Sequence, residues 1–175
     1  MGLHLIIDGY NVIRQSPELL RYEKEELEKG RAMLLKKLIA YQRVKPHAIT
    51  VIFDGWREGD FFEHREREGG IKVIFSRRGE KADEVIKRTI AQGKGELVVV
   101  VTSDRELGYA CAAKGCAVVS AKEFLARMEL ACCPSLSEKL IEEDSLTRLK
   151  GTKKKGPAKK LSKTARTHLA LLKRL

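Results

Sequence analysis

The sequence of 175 residues lacks the features that mark several classes of protein. No apolar run approaches the ~20 residues of a membrane helix. The opening stretch MGLHLIIDGY lacks the basic flank and the small-residue cleavage site of a signal peptide. The four cysteines form no CxxC pair, which favours reduced thiols over a zinc site. A GxxxxGKS or GxxxxGKT loop is absent too, which disfavours P-loop nucleotide binding. We therefore expect a cytoplasmic protein without a membrane partner.

Acidic residues are missing from the C-terminal end of the chain. Residues 150–175 contain ten Lys or Arg and no Asp or Glu, whereas the rest of the chain has 25 basic and 24 acidic residues. The net charge of +11 is therefore concentrated in this segment, which suggests a polyanionic partner: nucleic acid, ribosome or anionic membrane. The alternative is a solubilising tail. The candidate RNA contacts are Lys153, Lys154, Lys155, Lys159 and Lys160.

Apolar runs that alternate with helical patterns fill the remainder of the sequence. Buried strands are predicted at 3–7, 48–53, 71–75, 96–102 and 116–120, and helices at about 24–43, 82–92, 104–114 and from 121. This alternation predicts an α/β fold with a parallel sheet covered on both faces. Residues 55–70 are predicted to form a long polar loop or flap. We expect a domain over 1–130, a helical segment over 131–149 packed on or near it, and a basic tail over 150–175 with a short amphipathic helix.

Several predicted strands end on a carboxylate. Asp8, Asp54 and Asp104 each follow an apolar run, and Asp83, with Glu84 beside it, opens the helix after the third strand. The carboxyl ends of parallel strands meet at one edge of a sheet, where ligands bind. Taken singly, Asp83 and Asp104 have the alternative of favouring a helix N-terminus, and Asp8 and Asp54 have the alternative of starting a turn. Together they would repel one another unless a cation lay between them.

Mg²⁺ and Mn²⁺ are the cations that such oxygen ligands favour. A carboxylate site for these ions, in a chain with a basic tail, suits phosphodiester hydrolysis, because the bound metal activates water and stabilises the leaving oxygen. Asn11 is a candidate for orienting the water or a ligand. Thr102 or Ser103 is placed to hydrogen-bond a metal-bound water or a phosphate oxygen. Arg105 would meet a phosphate, or else form a surface ion pair.

Four segments also resemble a known family: DGYNVI, VIFDG, KADEVIKR and VVTSDRELGYACAAKGCAVVSAKEF. They are similar to the NYN domain ribonucleases, in the YacP-like branch of the PIN-like nuclease superfamily, and the resemblance covers residues 3–130. It implies a three-layer fold with strand order 3-2-1-4-5 and a Mg²⁺- or Mn²⁺-dependent endoribonuclease. Asp8, Asp83 and Asp104 match the family's metal-binding aspartates, and Asn11 matches the amide that accompanies the first of them.

The predicted substrate is single-stranded RNA, in mRNA or stable-RNA turnover, with the ribosome as a candidate partner. Trp56, Arg57, Phe61 and Arg65 of the flap interleave aromatic and basic groups, which suits unpaired bases and phosphates. The alternative is that the flap aromatics pack on the sheet. A non-catalytic RNA- or ribosome-binding adaptor is the competing function. A third alternative is a phosphatase of the haloacid dehalogenase type. This function is disfavoured, because it needs a second Asp at the position that Tyr10 occupies.

Overall fold

A six-stranded sheet forms the middle layer of the fold. The computed structural model describes residues 3–55, 62–93, 97–133, 170 and 174–175. The strand order is β3-β4-β2-β1-β5-β6. The strands are β1 (His4–Asp8), β2 (Ala48–Phe53), β3 (His64–Glu68), β4 (Ile71–Phe75), β5 (Val98–Val101) and β6 (Ala117–Val119).

The five predicted strands pair in parallel, as the sequence indicates. Strand β1 lies at the centre between β2 and β5. Counted without β3, the strands stand in the predicted order 3-2-1-4-5, so this part of the prediction is confirmed. The chain adds strands on one side of β1, as far as β4, and then returns to add β5 and β6 on the other. The order therefore reverses at β1, and a crevice is expected between the carboxyl ends of β1 and β5.

Strand β3 corrects the prediction of an unbroken polar loop over residues 55–70. It pairs antiparallel with β4, with Glu68 opposite Ile71, so only Gly69 and Gly70 form the turn between them. Both glycines have positive φ, 56° and 91°, which a tight two-residue hairpin requires. The side chains of β3 are all exposed. Their polarity conceals the strand in the sequence, and it also protects the edge of the sheet from pairing with other chains.

Helices cover both faces of the sheet. One face carries α1 (Gly9–Gln15), α2 (Pro17–Glu25), α3 (Leu27–Val44) and α6 (Ala121–Cys132), and the other carries α4 (Ala82–Gln92) and α5 (Arg105–Ala113). Successive residues of β1 divide between the two cores, since Leu5 and Ile7 belong to the first and Ile6 to the second. The three-layer prediction is thus confirmed. Among the described residues, no helix has the length and apolar character needed to cross a membrane.

The chain turns into a helix immediately after β1, where the sequence suggested a turn and then one helix over about 24–43. Asp8 caps α1, because its side chain accepts a hydrogen bond from the backbone N–H of Asn11. Ser16 ends α1 and caps α2, and Pro17 occupies the first turn of α2, where the missing N–H costs nothing. The DGYN sequence resembles a turn, but its aspartate is a helix cap, and the prediction was wrong at this point.

The last two residues contact the body of the protein. Leu175 is 4% exposed within the larger core, and the Tyr41 hydroxyl donates to its backbone oxygen at 2.9 Å. The backbone oxygen of Arg174 accepts a hydrogen bond from Lys45 Nζ at 3.3 Å. The end of the predicted tail therefore packs on the domain. Apart from residues 131–133, 170 and 174–175, the segments predicted over 131–149 and 150–175 lie outside the described residues, and the division at 130 and 150 stays a prediction.

Candidate metal centre and substrate cavity

Four aspartates line one cavity of about 630 Å³ at the carboxyl edge of the sheet. They are Asp8, Asp54, Asp83 and Asp104, and we call this space the acidic cavity. Its position matches the point where the strand order reverses, and the helix that carries Asp83 does begin at the same edge. The predicted convergence of these four side chains is therefore observed. Their roles as metal ligands and catalytic residues stay predictions.

Asp8 is partly buried, and its ionisation is strongly perturbed. One carboxylate oxygen, Oδ1, accepts from the Asn11 backbone N–H at 3.3 Å, and Oδ2 accepts from the Thr102 hydroxyl at 3.4 Å. The pKa of Asp8 is raised from 3.8 to about 6: burial is the main cause, the carboxylates of Asp83 and Asp104 add to it, and the two hydrogen bonds oppose it. The negative charges in the cavity are therefore incompletely compensated by the protein.

Asp104 follows β5 and caps α5. Its Oδ1 accepts from the backbone N–H groups of Glu106 at 2.8 Å and Leu107 at 3.1 Å. Within the part of the chain that the structure describes, Oδ2 of Asp104 makes no hydrogen bond. One oxygen thus fixes the side chain on the helix while the other stays available to a ligand.

Thr102 joins the two strand ends that carry Asp8 and Asp104. Its side chain is buried, with 3% exposure. The hydroxyl donates to Asp8 and accepts from the Asp104 backbone N–H at 3.1 Å, so a single oxygen positions both residues. A partner that orients a metal-ligating side chain affects metal affinity even though it never touches the ion. The sequence suggested contact with water or phosphate here, whereas the structure gives this hydroxyl protein partners.

Asp83 and Asp54 complete the acidic cavity from the other side of β1. Asp83 is half-buried in the first turn of α4, and burial raises its pKa, followed by the charge of Asp104; Lys87 and Lys81 oppose this. Asp54 lies one residue beyond β2, with its Oδ1 3.5 Å from the Ser76 hydroxyl.

Asn11 belongs to the cavity but has a structural partner. Its side-chain oxygen accepts from the Ser103 backbone N–H at 2.8 Å, which ties α1 to the loop between β5 and α5. The side-chain oxygen of Asn11 is therefore occupied, and the amide nitrogen is the group left to meet a ligand. Ser103 itself turns away, because its hydroxyl accepts from the backbone N–H of Ala121 at 3.1 Å.

Three other candidates are not brought into the acidic cavity. Glu84 is exposed, pairs with Lys87 at 2.9 Å and lines a neighbouring cavity, and the hydrogen bond from Lys87 lowers its pKa. Arg105 is exposed on the first turn of α5 and lines neither cavity. Arg65 is on β3, paired with Glu63.

The remaining predicted RNA contacts lie outside the described residues. They are Trp56, Arg57, Phe61, Lys153, Lys154, Lys155, Lys159 and Lys160.

Two basic side chains of the acidic cavity were absent from the sequence prediction. Arg14 lines it from α1, and Lys81 lines it from the residue before α4. Arg14 also lies over the Tyr10 ring, 5.6 Å from its centroid, and 3.6 Å from a Glu23 oxygen. In a helix capped by Asp8, Asn11 and Arg14 are three residues apart and lie on the same face. Had DGYN been interpreted as a helix start, Arg14 would have been predicted at this site. Cations beside a cluster of carboxylates suit a phosphate that arrives there.

The donor chemistry of the cavity fits Mg²⁺ or Mn²⁺. All four acidic side chains offer oxygen, and the Asp83 and Asp104 carboxylates add to the effect of burial in raising the pKa of Asp8, so a cation there would relieve their repulsion. No three His, Cys, Asp or Glu side chains among the described residues already surround a common point. Mg²⁺ commonly keeps several waters and binds one or two carboxylates together with substrate phosphates, so a complete protein cage is not required. Asp104 Oδ2 and the carboxylate of Asp8 are the first candidates for direct ligation.

Comparison with known proteins agrees with this geometry. The model of the YacP-like NYN domain family matches residues 5–174. The chain belongs to the YacP-like NYN domain family. A curated relative, the uncharacterized protein YacP of Bacillus subtilis (strain 168), is 30% identical over 128 residues, which are 71% of this chain and 74% of the relative.

Two crystal structures of Rae1 (YacP) from Bacillus subtilis have a similar fold. A mutant form superposes with a TM-score of 0.64 at 24% identity, covering 95% of this chain and 90% of that one. The other structure gives a TM-score of 0.62 at 24% identity, with 86% of each chain covered. The family assignment, resting on the matched residues, indicates a nuclease-type function related to RNA.

Proposed function

We propose that this protein is a Mg²⁺- or Mn²⁺-dependent endoribonuclease that hydrolyses phosphodiester bonds of single-stranded RNA. The observation that carries the proposal is the acidic cavity itself, in which Asp8, Asp83 and Asp104 converge beside two basic side chains. Carboxylates alone would repel a phosphate. A bound divalent cation would reverse this repulsion, activate a water and stabilise the leaving oxygen.

The side chains of the cavity divide this work between them. Asp8 and Asp104 offer oxygens on adjacent strand ends, and Thr102 keeps them in register. Arg14 and Lys81 supply positive charge for the non-bridging phosphate oxygens. The amide nitrogen of Asn11 is a hydrogen-bond donor to a phosphate oxygen or to the attacking water. Cellular mRNA is the substrate we favour, and the ribosome is the partner that we expect to present it.

Asp83 and Glu84 allow a sharp test because they are adjacent but line different cavities. Labelled single-stranded RNA, free and ribosome-bound, is incubated with Mg²⁺, with Mn²⁺ or with EDTA. We expect internal cleavage by the unmodified protein with either metal and none with EDTA. Asp83→Asn should lose most of the cleavage, whereas Glu84→Gln should retain it.

Other results would contradict the proposal. Cleavage that continues in EDTA would remove the metal from the mechanism. Equal losses in Asp83→Asn and Glu84→Gln would mean that the acidic cavity is not the reaction site. RNA binding without cleavage on either form of substrate would instead favour the adaptor function.

A further inference from the structure

A second cavity, of about 1,070 Å³, lies beside the acidic one and is strongly basic. We call it the basic cavity; its positive side chains are Arg77, Arg78, Lys81, Lys87, Arg88 and Lys114. Lys81 lines both cavities, so the two adjoin at the residue before α4. At that point Asp83 faces the acidic cavity and its neighbour Glu84 faces the basic one.

A hydrogen-bonded turn presents the arginines of the basic cavity. The backbone N–H of Glu80 donates to the Arg77 carbonyl oxygen at 3.0 Å, and Gly79 has a φ of +82°, as the third position of a type II turn requires. The buried Ser76 hydroxyl donates to the Glu80 carbonyl oxygen at 2.7 Å and accepts from the Gly55 backbone N–H at 2.9 Å. Because these bonds fix both ends of the turn, Arg78 is held at its exposed tip.

Acidic partners neutralise only some of this charge. Arg77 lies 3.4 Å from Glu80, Arg88 donates to Glu80 at 2.6 Å, and Lys87 is paired with Glu84. Arg78 forms no ion pair with the described residues, and neither does Lys81.

Lys114 directs its ammonium to the backbone oxygen of Lys87 at 3.3 Å and has no carboxylate partner among the described residues. The lining therefore has six positive and two negative side chains, with three of the positive ones available to a ligand.

We propose that the basic cavity binds the sugar–phosphate backbone of the RNA strand next to the bond that is cut, with Lys81 at the junction. This inference rests on the proposed function for the identity of the strand. In an RNA strand that extends through both cavities, phosphates would contact the unpaired positive side chains of the basic cavity. The bond to be cut would lie at the carboxylates of the acidic cavity. Backbone contacts of this kind position a strand without reading its sequence.

Salt dependence of RNA affinity tests the proposal. The parent is the full chain with Asp8→Asn, which prevents cleavage, and the test protein adds Arg78→Ala and Lys114→Ala. The matched control adds Lys24→Ala and Lys36→Ala, which remove the same charge from exposed positions on the opposite face of the sheet. Affinity for a fluorescent single-stranded RNA is measured at several salt concentrations between roughly 0.05 and 1 M. Counterion release makes the logarithm of the affinity fall linearly with the logarithm of the salt concentration.

Loss of two phosphate contacts should flatten the log–log slope by ~1.4, at about 0.7 for each contact with a single strand. This corresponds to ~25-fold weaker binding at 0.1 M salt when affinities at 1 M are equal. Equal slopes for the parent and the Arg78/Lys114 variant would overturn the proposal. An equal loss in the Lys24/Lys36 control would do the same, since the effect would then be general charge. Unchanged melting temperatures in all three proteins exclude unfolding as the cause.

Polyglutamate of similar length provides the other comparison. If its affinity falls as much as that of RNA in the Arg78/Lys114 variant, the cavity is a general polyanion site and the RNA assignment is wrong. A selective loss of RNA affinity supports it. Failure of the nuclease proposal can be distinguished from failure of this one. If the unmodified protein cleaves no RNA, the nuclease activity is refuted. The salt slopes still decide whether RNA occupies the basic cavity.

Discussion

Replacement of Asp8 by asparagine should stabilise the metal-free protein at neutral pH but not at acidic pH. The raised pKa means that the folded state holds the Asp8 proton more tightly than the unfolded chain does. At about pH 3.5 the carboxyl group is protonated in the folded state and mostly protonated in the unfolded chain. As the pH rises towards 6, the unfolded chain loses its proton first, so ionisation of Asp8 reduces the free energy of unfolding. Asparagine has no charge to lose.

The change of the Asp8 pKa from 3.8 to about 6 sets the magnitude. At roughly 1.4 kcal/mol for each tenfold change in proton affinity, Asp8 ionisation costs about 3 kcal/mol at pH 7.5. Asparagine retains the acceptor for the Asn11 N–H but loses one acceptor for the Thr102 hydroxyl, at a cost of about 1 kcal/mol. The expected net gain is therefore about 2 kcal/mol, or ~4–8 °C in melting temperature for a chain of this size.

Thermal unfolding followed by circular dichroism in EDTA, at pH 3.5 and at pH 7.5, measures this difference. Glu129→Gln is the matched control, because it removes an exposed carboxylate from α6. We expect Asp8→Asn to be more stable than the unmodified protein only at pH 7.5. The same stabilisation at both pH values, or a destabilisation at pH 7.5, would refute the conclusion that the ionised Asp8 carboxylate destabilises the metal-free protein.

Three further perturbations follow from particular contacts. Gly9→Ala would place a Cβ atom 2.3 Å from Phe53 Cε1, and the clash should destabilise the fold by ~1–3 kcal/mol in chemical denaturation; unchanged stability would contradict the close approach. Thr102→Val removes the hydroxyl between the two strand ends and should weaken Mg²⁺ binding ~10-fold in calorimetry, with little effect if Thr102 merely fills space. Replacing lysines 153–155 by serine should flatten the salt slope of RNA binding by up to ~2. This substitution is preferable to deletion of the tail, because deletion would also remove Leu175 from the core; an unchanged slope would favour a solubilising tail.

The sequence predicts those parts of the fold whose side chains are buried on both sides. The five parallel strands are continuous apolar runs, and α4 has a clear apolar face, so each has a strong pattern. Strand β3 is charged and exposed throughout, and its only signal is the Gly69–Gly70 pair. The prediction missed α1 and nearly all of α2, because Asp8 and Gly9 are residues that favour a turn as well as a helix start.

The convergence of carboxylates in the acidic cavity could be predicted, because it depends on topology. The directions of individual side chains could not be predicted. Parallel strands bring their carboxyl ends together whatever the details of packing, so Asp8, Asp54 and Asp104 meet. Adjacent residues on a helix point about 100° apart, which separates Glu84 from Asp83. Ser103 is directed by its hydrogen bond to Ala121, a contact between distant parts of the chain. Such contacts are set by tertiary packing, and no local pattern encodes them.

The position of a bound metal ion tests the central claim most directly. Crystals of the full chain grown with Mn²⁺, and measured for anomalous scattering, would locate the ion without assuming its ligands. We predict a peak in the acidic cavity at about 2 Å from Asp104 Oδ2 and from a carboxylate oxygen of Asp8. The same protein should cleave single-stranded RNA when Mn²⁺ is present. A protein that cleaves RNA while its crystals show no peak there, or show the ion at Glu84 instead, would contradict the proposed metal site.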